Sequence, residues 1–342
     1  RISPIPDSIT QKNRQTQAIG FTVPDNEPEA DLMIVTASSP NKRLVPDDNI
    51  FIKGAGTNRA VVVKPAPYQI GKASVTITVT DGAGKSASAS FLVTVKPSPP
   101  IKGDLDGDTQ PDLVFQDADG FLAVWTLDGA SLQSASYLFP SNVGDPNWRV
   151  VARDDFDRDG RVDLLFQHQD GSMAVWLMNG VVQNTVAFTQ PESSGDPNWR
   201  VVGAADFNND DHADLIFQHT DGSLALWYMN GLELTAARFL EPAQPGAGWR
   251  VAGAGDFGGD GHVDLLFQHT DGTLAVWFLE DFKLLEAGLL NPRHPGNAKW
   301  RVASVADHNA DAQPDLIFQT TDDGTLAVWF MEGISLTKAG FL

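Results

Sequence analysis

Asp155-Phe156-Asp157-Arg158-Asp159-Gly160-Arg161-Val162-Asp163 puts carboxylates at the first, third, fifth and ninth places of a nine-residue segment. Four oxygen donors on so short a stretch can curl around one ion, and the fitting occupant is a hard cation. Calcium takes six to eight oxygens. Its loops use side chains at positions 1, 3 and 5, a backbone carbonyl at 7 and a later carboxylate, with glycine at 6 to turn the chain. Here Gly160 stands at position 6 and Arg161 offers the carbonyl.

Four further copies begin at Asp104, Asp206, Asp256 and Asp307, so successive starts are 51, 51, 50 and 51 residues apart. The candidate ligands are Asp104, Asp106, Asp108, Gln110 and Asp112 in the first copy, and Asp155, Asp157, Asp159, Arg161 and Asp163 in the second. The third offers Asp206, Asn208, Asp210, His212 and Asp214. The fourth offers Asp256, Asp260, His262 and Asp264, and the fifth Asp307, Asn309, Asp311, Gln313 and Asp315. An Asp-rich loop can also be a set of turns with solvated carboxylates, but aspartate at positions 1, 5 and 9 of all five copies favours the ion.

The copies are not equivalent, so up to five Ca²⁺ are expected to bind with different strengths. The second has every ligand and its glycine, and is expected to bind tightest. The first carries its glycine, Gly107, two places early. The third has Asp211 in place of glycine, and the fourth has Gly258 at position 3 and lacks that side-chain ligand. The fifth has Ala312 at the turn, where a β-carbon brings strain.

Each loop must be held by the strands around it. In the second repeat, Trp148–Ala152 reads as a first strand and Leu164–His168 as a second. Asp170-Gly171 then makes a tight turn into Met173–Leu177, and Asn179-Gly180 another into Val181–Phe188, since these pairs tolerate the positive φ that matches strand twist. Four antiparallel strands form one meander whose middle strands are apolar on consecutive residues, as expected when both faces are covered. A unit of about fifty residues that cannot bury its own apolar face must stack on the next. Five such sheets are most simply arrayed radially, as the blades of a β-propeller. The first repeat departs from the pattern: Pro97–Gly103 stands where the others have Trp-Arg-Val, and proline cannot donate to a ladder. Blade one is therefore expected to be incomplete, with completion by a later segment, or a parent of six or seven blades, as the alternatives if the natural chain continues past Leu342.

WRVVARDDFDRDGRVDLLFQHQDGSMAVWLMNG and its copy WRVVGAADFNNDDHADLIFQHTDGSLALWYMNG resemble the FG-GAP or VCBS repeats of bacterial secreted proteins, similar in pattern to the integrin α-subunit propeller. The resemblance covers residues 101–342. It implies calcium in the loops and an extracellular or cell-surface setting, but this architecture hosts many functions.

Residues 1–96 have another grammar. Leu32–Thr36, Ala60–Val63 and Ser74–Val79 are β-branched with period two, and Asp81-Gly82 leads through a hairpin into Ser86–Val95. About a hundred residues of such strands predict a two-sheet sandwich, and TVTDGAGKSASASFLVTVKP resembles bacterial immunoglobulin-like or cadherin-like modules. Asp25, Glu27 and Asp31 are read as solvated loop acids. Residues 97–100 form a proline-rich linker that acts as a stiff spacer.

The overall expectation is all-β: an immunoglobulin-like β-sandwich, then a five-repeat propeller of four-stranded blades. With 24 Lys and Arg against 44 Asp and Glu, the net charge is −20, which disfavours nucleic acid as a partner. Seventeen of those acids are loop aspartates that cations would neutralise. There is no cysteine, hence no thiolate chemistry, and no apolar run long enough for membrane insertion.

Trp125, Trp176, Trp227, Trp277 and Trp329 recur on the third strands and are read as core between sheets; Trp148, Trp199, Trp249 and Trp300 are read the same way. His168, His219 and His269, beside Gln167, Gln218 and Gln268, are read as residues that close turns, with repeated ligand contacts as the alternative. Catalysis requires one asymmetric set of groups with distinct roles, whereas nearly every polar residue here is repeated, so the chain is not expected to be an enzyme. Three functions follow: a non-catalytic, calcium-binding adhesion module for a protein or glycan; a lectin with repeated sugar sites; or an accessory region of a larger carbohydrate-active enzyme.

Overall fold

The computed structural model describes residues 1–11, 15–23, 33–66, 69, 71–96 and 102–342. Asp25, Glu27, Asp31, Leu32 and the spacer 97–100 lie outside the described residues. The chain divides into two units, Arg1–Pro99 and Pro100–Leu342. Among the described residues the regular structure is all strand apart from one short 3-10 turn.

Among its described residues the first unit has seven strands: β1 (Ser8–Gln11), β2 (Ile19–Thr22), β3 (Ile34–Ser38), β4 (Ile50–Lys53), β5 (Asn58–Val63), β6 (Gly71–Thr80) and β7 (Ser86–Lys96). They form a sheet in the order β1-β7-β6-β3 and another in the order β2-β5-β4. The alternation in β6 explains the arrangement. Ala73, Val75, Ile77 and Val79 are buried in one core with Phe21, Val61 and Val63 of the second sheet. On the opposite face Thr76, Thr78 and Thr80 bond Ser90, Ser88 and Ser86 across the hairpin at 2.8, 2.9 and 2.8 Å.

The second unit begins with three strands, β8 (Leu113–Gln116), β9 (Phe121–Asp128) and β10 (Ser131–Asn142). Four repeats of four follow. They are β11 (Trp148–Asp154) to β14 (Val182–Ser193), with β12 (Asp163–His168) and β13 (Ser172–Asn179) between them; and β15 (Trp199–Ala205), β16 (Asp214–His219), β17 (Leu224–Asn230) and β18 (Glu233–Phe239). Next come β19 (Trp249–Gly255), β20 (Asp264–His269), β21 (Leu274–Glu280) and β22 (Lys283–Leu289). The last are β23 (Trp300–Ala306), β24 (Asp315–Thr320), β25 (Leu326–Glu332) and β26 (Ser335–Phe341). Within each repeat consecutive strands pair antiparallel, so the meander is present, and the first repeat has three strands among the described residues. No sheet among the described residues closes on itself.

Burial fixes how the repeats meet. Second and third strands are buried on nearly every residue, while fourth strands are largely exposed. One apolar cluster joins repeats one and two, others join two and three, three and four, and four and five. A fifth cluster joins Leu113 and Leu127 of the first repeat to Ile317, Leu326 and Val328 of the last. Contacts therefore run through all five repeats and return to the first. The third-strand tryptophans Trp176, Trp227, Trp277 and Trp329 are buried in these clusters, each tilted against a second-strand phenylalanine with ring centroids 4.8 to 5.0 Å apart. Trp125 sits in the corresponding place, half-buried, 5.1 Å from Phe115.

Candidate metal loops

Each Asp loop joins the first strand of its repeat to the second, and the first loop leads into β8. The five share one backbone scheme. The position-1 carboxylate accepts N–H groups from the far side of the loop: Gly107 and Thr109 on Asp104 (2.6 and 3.1 Å), Gly160 on Asp155 (2.7 Å), Asp211 on Asp206 (2.8 Å), Gly261 on Asp256 (2.9 Å) and Ala312 on Asp307 (2.8 Å). Position 5 accepts from position 7, as in Asp159 from Arg161 at 2.9 Å and Asp260 from His262 at 2.9 Å. Holding this curl requires left-handed backbone at both positions 4 and 6. Position 4 is Gly107, Arg158, Asn209, Gly259 and Ala310; position 6 is Thr109, Gly160, Asp211, Gly261 and Ala312. The spacing argument recognised only position 6. The first loop thus has its glycine at one of the two left-handed places and Thr109 at the other.

With that curl, Asp104, Asp106 and Asp108 bring one oxygen each within 4.8 Å of one another, and Asp155, Asp157 and Asp159 do the same. These donor sets fit a hard cation: all-oxygen, anionic, and clustered against their own repulsion. In the third and fifth loops the position-3 amide donates to the position-5 carboxylate, Asn208 to Asp210 at 3.1 Å and Asn309 to Asp311 at 2.9 Å. A neutral donor there relieves part of the repulsion that a cation would relieve in the first two loops. The fourth loop has no side chain at Gly258. Among position-7 side chains, the His212 ring meets Arg158 of the preceding loop at 3.2 Å, His262 meets Asn209 at 3.4 Å, and Gln313 accepts from Gly333 at 3.2 Å.

Position 9, expected from its spacing to be a further ligand, is also built into the sheet. Asp112, Asp163, Asp214, Asp264 and Asp315 are almost fully buried. One oxygen accepts from position 2 of the loop (Leu105, Phe156, Phe207, Phe257, His308) and the other from the third strand (Leu127, Met178, Met229, Leu279, Met331), at 2.8 to 3.2 Å. Each oxygen thus holds a backbone N–H, as the position-1 oxygens of Asp104 do, and keeps a second lone pair. Burial pushes these carboxyls up, Asp163 to about 8 and Asp214 to about 7, against the opposing pull of their N–H partners. Asp104 is likewise pushed up to about 6 by burial.

The repeated histidines close turns. His168 and His219 each set Nδ1 against the turn aspartate, Asp170 at 2.8 Å and Asp221 at 2.9 Å, and stack on Trp148 and Trp199. His269 does so with Asp271 and Trp249. Gln167, Gln218 and Gln268 are not part of that turn: each bonds the first strand of the next repeat. Sequence reasoning also missed the charged groups among the first strands. Lys102 Nζ donates to the carbonyls of Ala204 (2.9 Å) and Ala254 (3.2 Å), and Arg153 donates to the Asp112 carbonyl at 2.7 Å. Burial pulls the Lys102 ammonium below its usual range, partly offset by Asp154. No sequence period marks these residues, because each occurs once.

Shallow aromatic grooves lie on two repeats. One is lined by Trp199, Trp227, Arg238 and Phe239, the other by Trp300, Trp329 and Phe341.

No curated protein sequence matches the chain. Among solved structures, the chain is similar to the titin M3 domain (17% identity, 28% of this chain and 97% of that one, TM-score 0.22) and to the tandem Ig repeats of Dlar (8%, 53% and 91%, TM-score 0.23). It is also similar to AofleA from Arthrobotrys oligospora (12%, 98% and 94%, TM-score 0.41). Residues 155–217, which run from the first aspartate of the second loop to the end of the third repeat's Phe217 and so contain two of the five loops, match the FG-GAP-like repeat family.

Proposed function

We propose that the protein is a non-catalytic, calcium-stabilised binding module: an immunoglobulin-like unit followed by a five-bladed propeller whose loops hold divalent cations. The carrying observation is the grouping of three carboxylates within 4.8 Å in each of the first two loops. The FG-GAP-like match over the second and third loops and the return of apolar contacts from repeat five to repeat one support the same reading. Positions 1, 3, 5 and 9 and the position-7 carbonyl are the ligands. Position 9 ties the loop to the third strand and so preorganises the others. Calcium bound only to the folded form stabilises it by mass action. Surface display and adhesion to a protein or glycan follow from the resemblance of the repeats to those of secreted bacterial proteins. Calorimetric titration of metal-free protein with Ca²⁺ tests the reading: saturable heat that Asp157→Asn weakens supports it, and no heat at millimolar calcium sinks it.

A second reading, a lectin, has one observation of its own. The Trp199/Phe239 and Trp300/Phe341 grooves expose aromatic faces with ring centroids 6.0 and 6.4 Å apart, and such faces stack on sugar rings. A glycan array separates the two readings, since a protein-binding module gives no specific glycan signal.

A further inference from the structure

The second strand of each repeat carries a glutamine that reads the backbone of the next repeat's first strand. Gln116 donates to the Trp148 carbonyl at 2.8 Å and accepts from Val150 N–H at 2.9 Å. Gln167 makes the same pair with Trp199 and Val201, Gln218 with Trp249 and Val251, and Gln268 with Trp300 and Val302, at 2.8 to 3.3 Å. Gln319 is the fifth of the set. Among the described residues it faces no such strand, and its amide instead makes a long 3.4 Å bond to Gly324 in its own turn.

Among the described residues, the strand that Gln319 lacks is also the one that the first repeat lacks. β8 pairs with β9 and with no other described strand. Val114 and Phe115 are consequently half-buried, whereas Leu165 and Phe166, Ile216 and Phe217, and Leu266 and Phe267 are buried. A cavity of ≈ 520 Å³ is lined by Leu113–Gln116, Gln319 and Leu326, together with Lys102 and parts of the first strands. The chain just ahead of Lys102 holds Pro97, Pro99 and Pro100, which have no N–H to give a ladder.

We propose that this edge, unpaired among the described residues, accepts an extended peptide strand supplied in trans, of the aromatic–basic–β-branched type that the molecule itself uses at Trp148-Arg149-Val150 and Trp199-Arg200-Val201. Strand addition to a sheet edge draws affinity from main-chain hydrogen bonds and specificity from alternate side chains. The strand pairs antiparallel with β8, as β11 does with β12. Its aromatic residue's carbonyl and its β-branched residue's N–H meet the Gln319 amide. Charge favours a basic residue between them. Arg149 donates to the carbonyls of Asp117 and Ala118, and Arg200 to those of His168 and Gln169, in the turn that follows the glutamine. The turn after Gln319 carries Asp322 and Asp323, in a chain of net charge −20. The site rests on none of the Asp loops.

The test is a fluorescence-anisotropy titration of a labelled synthetic peptide copying residues 197–205 against the whole chain in calcium. Saturable binding is expected, weakened about tenfold or more by N-methylation of the peptide's first valine, which removes the N–H that Gln319 accepts, and to a similar degree by Gln319→Leu. The N-methylated peptide probes the unaltered protein, so misfolding of the variant does not cloud the result. No saturation at millimolar peptide, or equal binding of a scrambled or N-methylated peptide, overturns the proposal. A chain that dimerises by itself and dissociates when peptide is added overturns the proposed occupant in favour of a second copy.

Discussion

Asp163 Oδ1 accepts the backbone N–H of Met178 at 2.8 Å, while its other oxygen accepts that of Phe156 at 3.0 Å. One buried side chain thus ties the start of the Asp loop to the third strand of the same sheet. Asp163→Asn leaves the shape unchanged but turns an NH₂ toward one of the two N–H groups, whichever way the amide sits. The expected cost is about 1–3 kcal/mol of stability, seen as a lower urea midpoint with or without calcium. Asp157→Asn, at the exposed position 3, is expected to leave the metal-free midpoint nearly unchanged. Equal effects of the two variants in chelator would refute the division of labour between positions 3 and 9.

Metal removal distinguishes the loops from one another. Calcium should raise the melting temperature of metal-free protein, and Asp106→Asn and Asp157→Asn should each remove part of the rise, because both loops group three carboxylates. Asn208→Ala and Asn309→Ala are expected to remove less, since those amides already donate to Asp210 and Asp311. A melt indifferent to verified chelation counts against calcium in any loop.

The loops' two left-handed positions give a test that needs no metal. Thr109 sits at φ 79° and Ala312 at φ 68°, where a β-carbon crowds the backbone, while Gly160 occupies the same place at φ 84°. Left-handed backbone costs an ordinary residue about 1–2 kcal/mol, partly returned as the extra entropy that glycine loses on folding. Thr109→Gly and Ala312→Gly should therefore stabilise by roughly 0.5–1 kcal/mol, and Gly160→Ala should destabilise by about 1–2 kcal/mol. Chemical denaturation of the three variants reads the signs directly, and a gain in Gly160→Ala would contradict the shared curl.

How much of this was legible in the sequence depends on what each residue's partner is. Strand order within a repeat follows from local pairs such as Asp170-Gly171 and from apolar runs such as Leu164-Leu165-Phe166, so the meander could be read. The grouping of Asp155, Asp157 and Asp159 could be read too, because all three lie on one short loop. The tie that Asp163 makes to the third strand could not be read from spacing, because Met178 lies outside the loop. The place of Gln167 beside His168 suggests a part in the turn, yet its partners, Trp199 and Val201, lie a repeat away. Position 4 escaped notice because Arg158, Asn209 and Ala310 share no chemistry, only a backbone angle.

His308 breaks the repeat pattern where it matters to packing. Its equivalents Leu105, Phe156, Phe207 and Phe257 are apolar and buried, and His308 is as buried as they are, with neither ring nitrogen hydrogen-bonded among the described residues. Burial, with the Arg153 charge nearby, pushes the imidazole down to about 4. Between pH 6.5 and 4 the unfolded chain therefore binds a proton that the folded chain refuses, so this residue's contribution to stability is intact above about 6.5 and is lost as the pH falls toward 4. The loss at full extent is roughly 3 kcal/mol, at 1.36 kcal/mol per unit. His308→Phe removes both the unpaired nitrogens and the proton linkage. It should raise stability at pH 7 by about 1–2 kcal/mol and widen its advantage over the unaltered chain as the pH drops to 4.5. Urea titrations at pH 7 and 4.5 check this: a difference between the two chains that does not grow on acidification would mean that His308 finds a proton partner in the folded state.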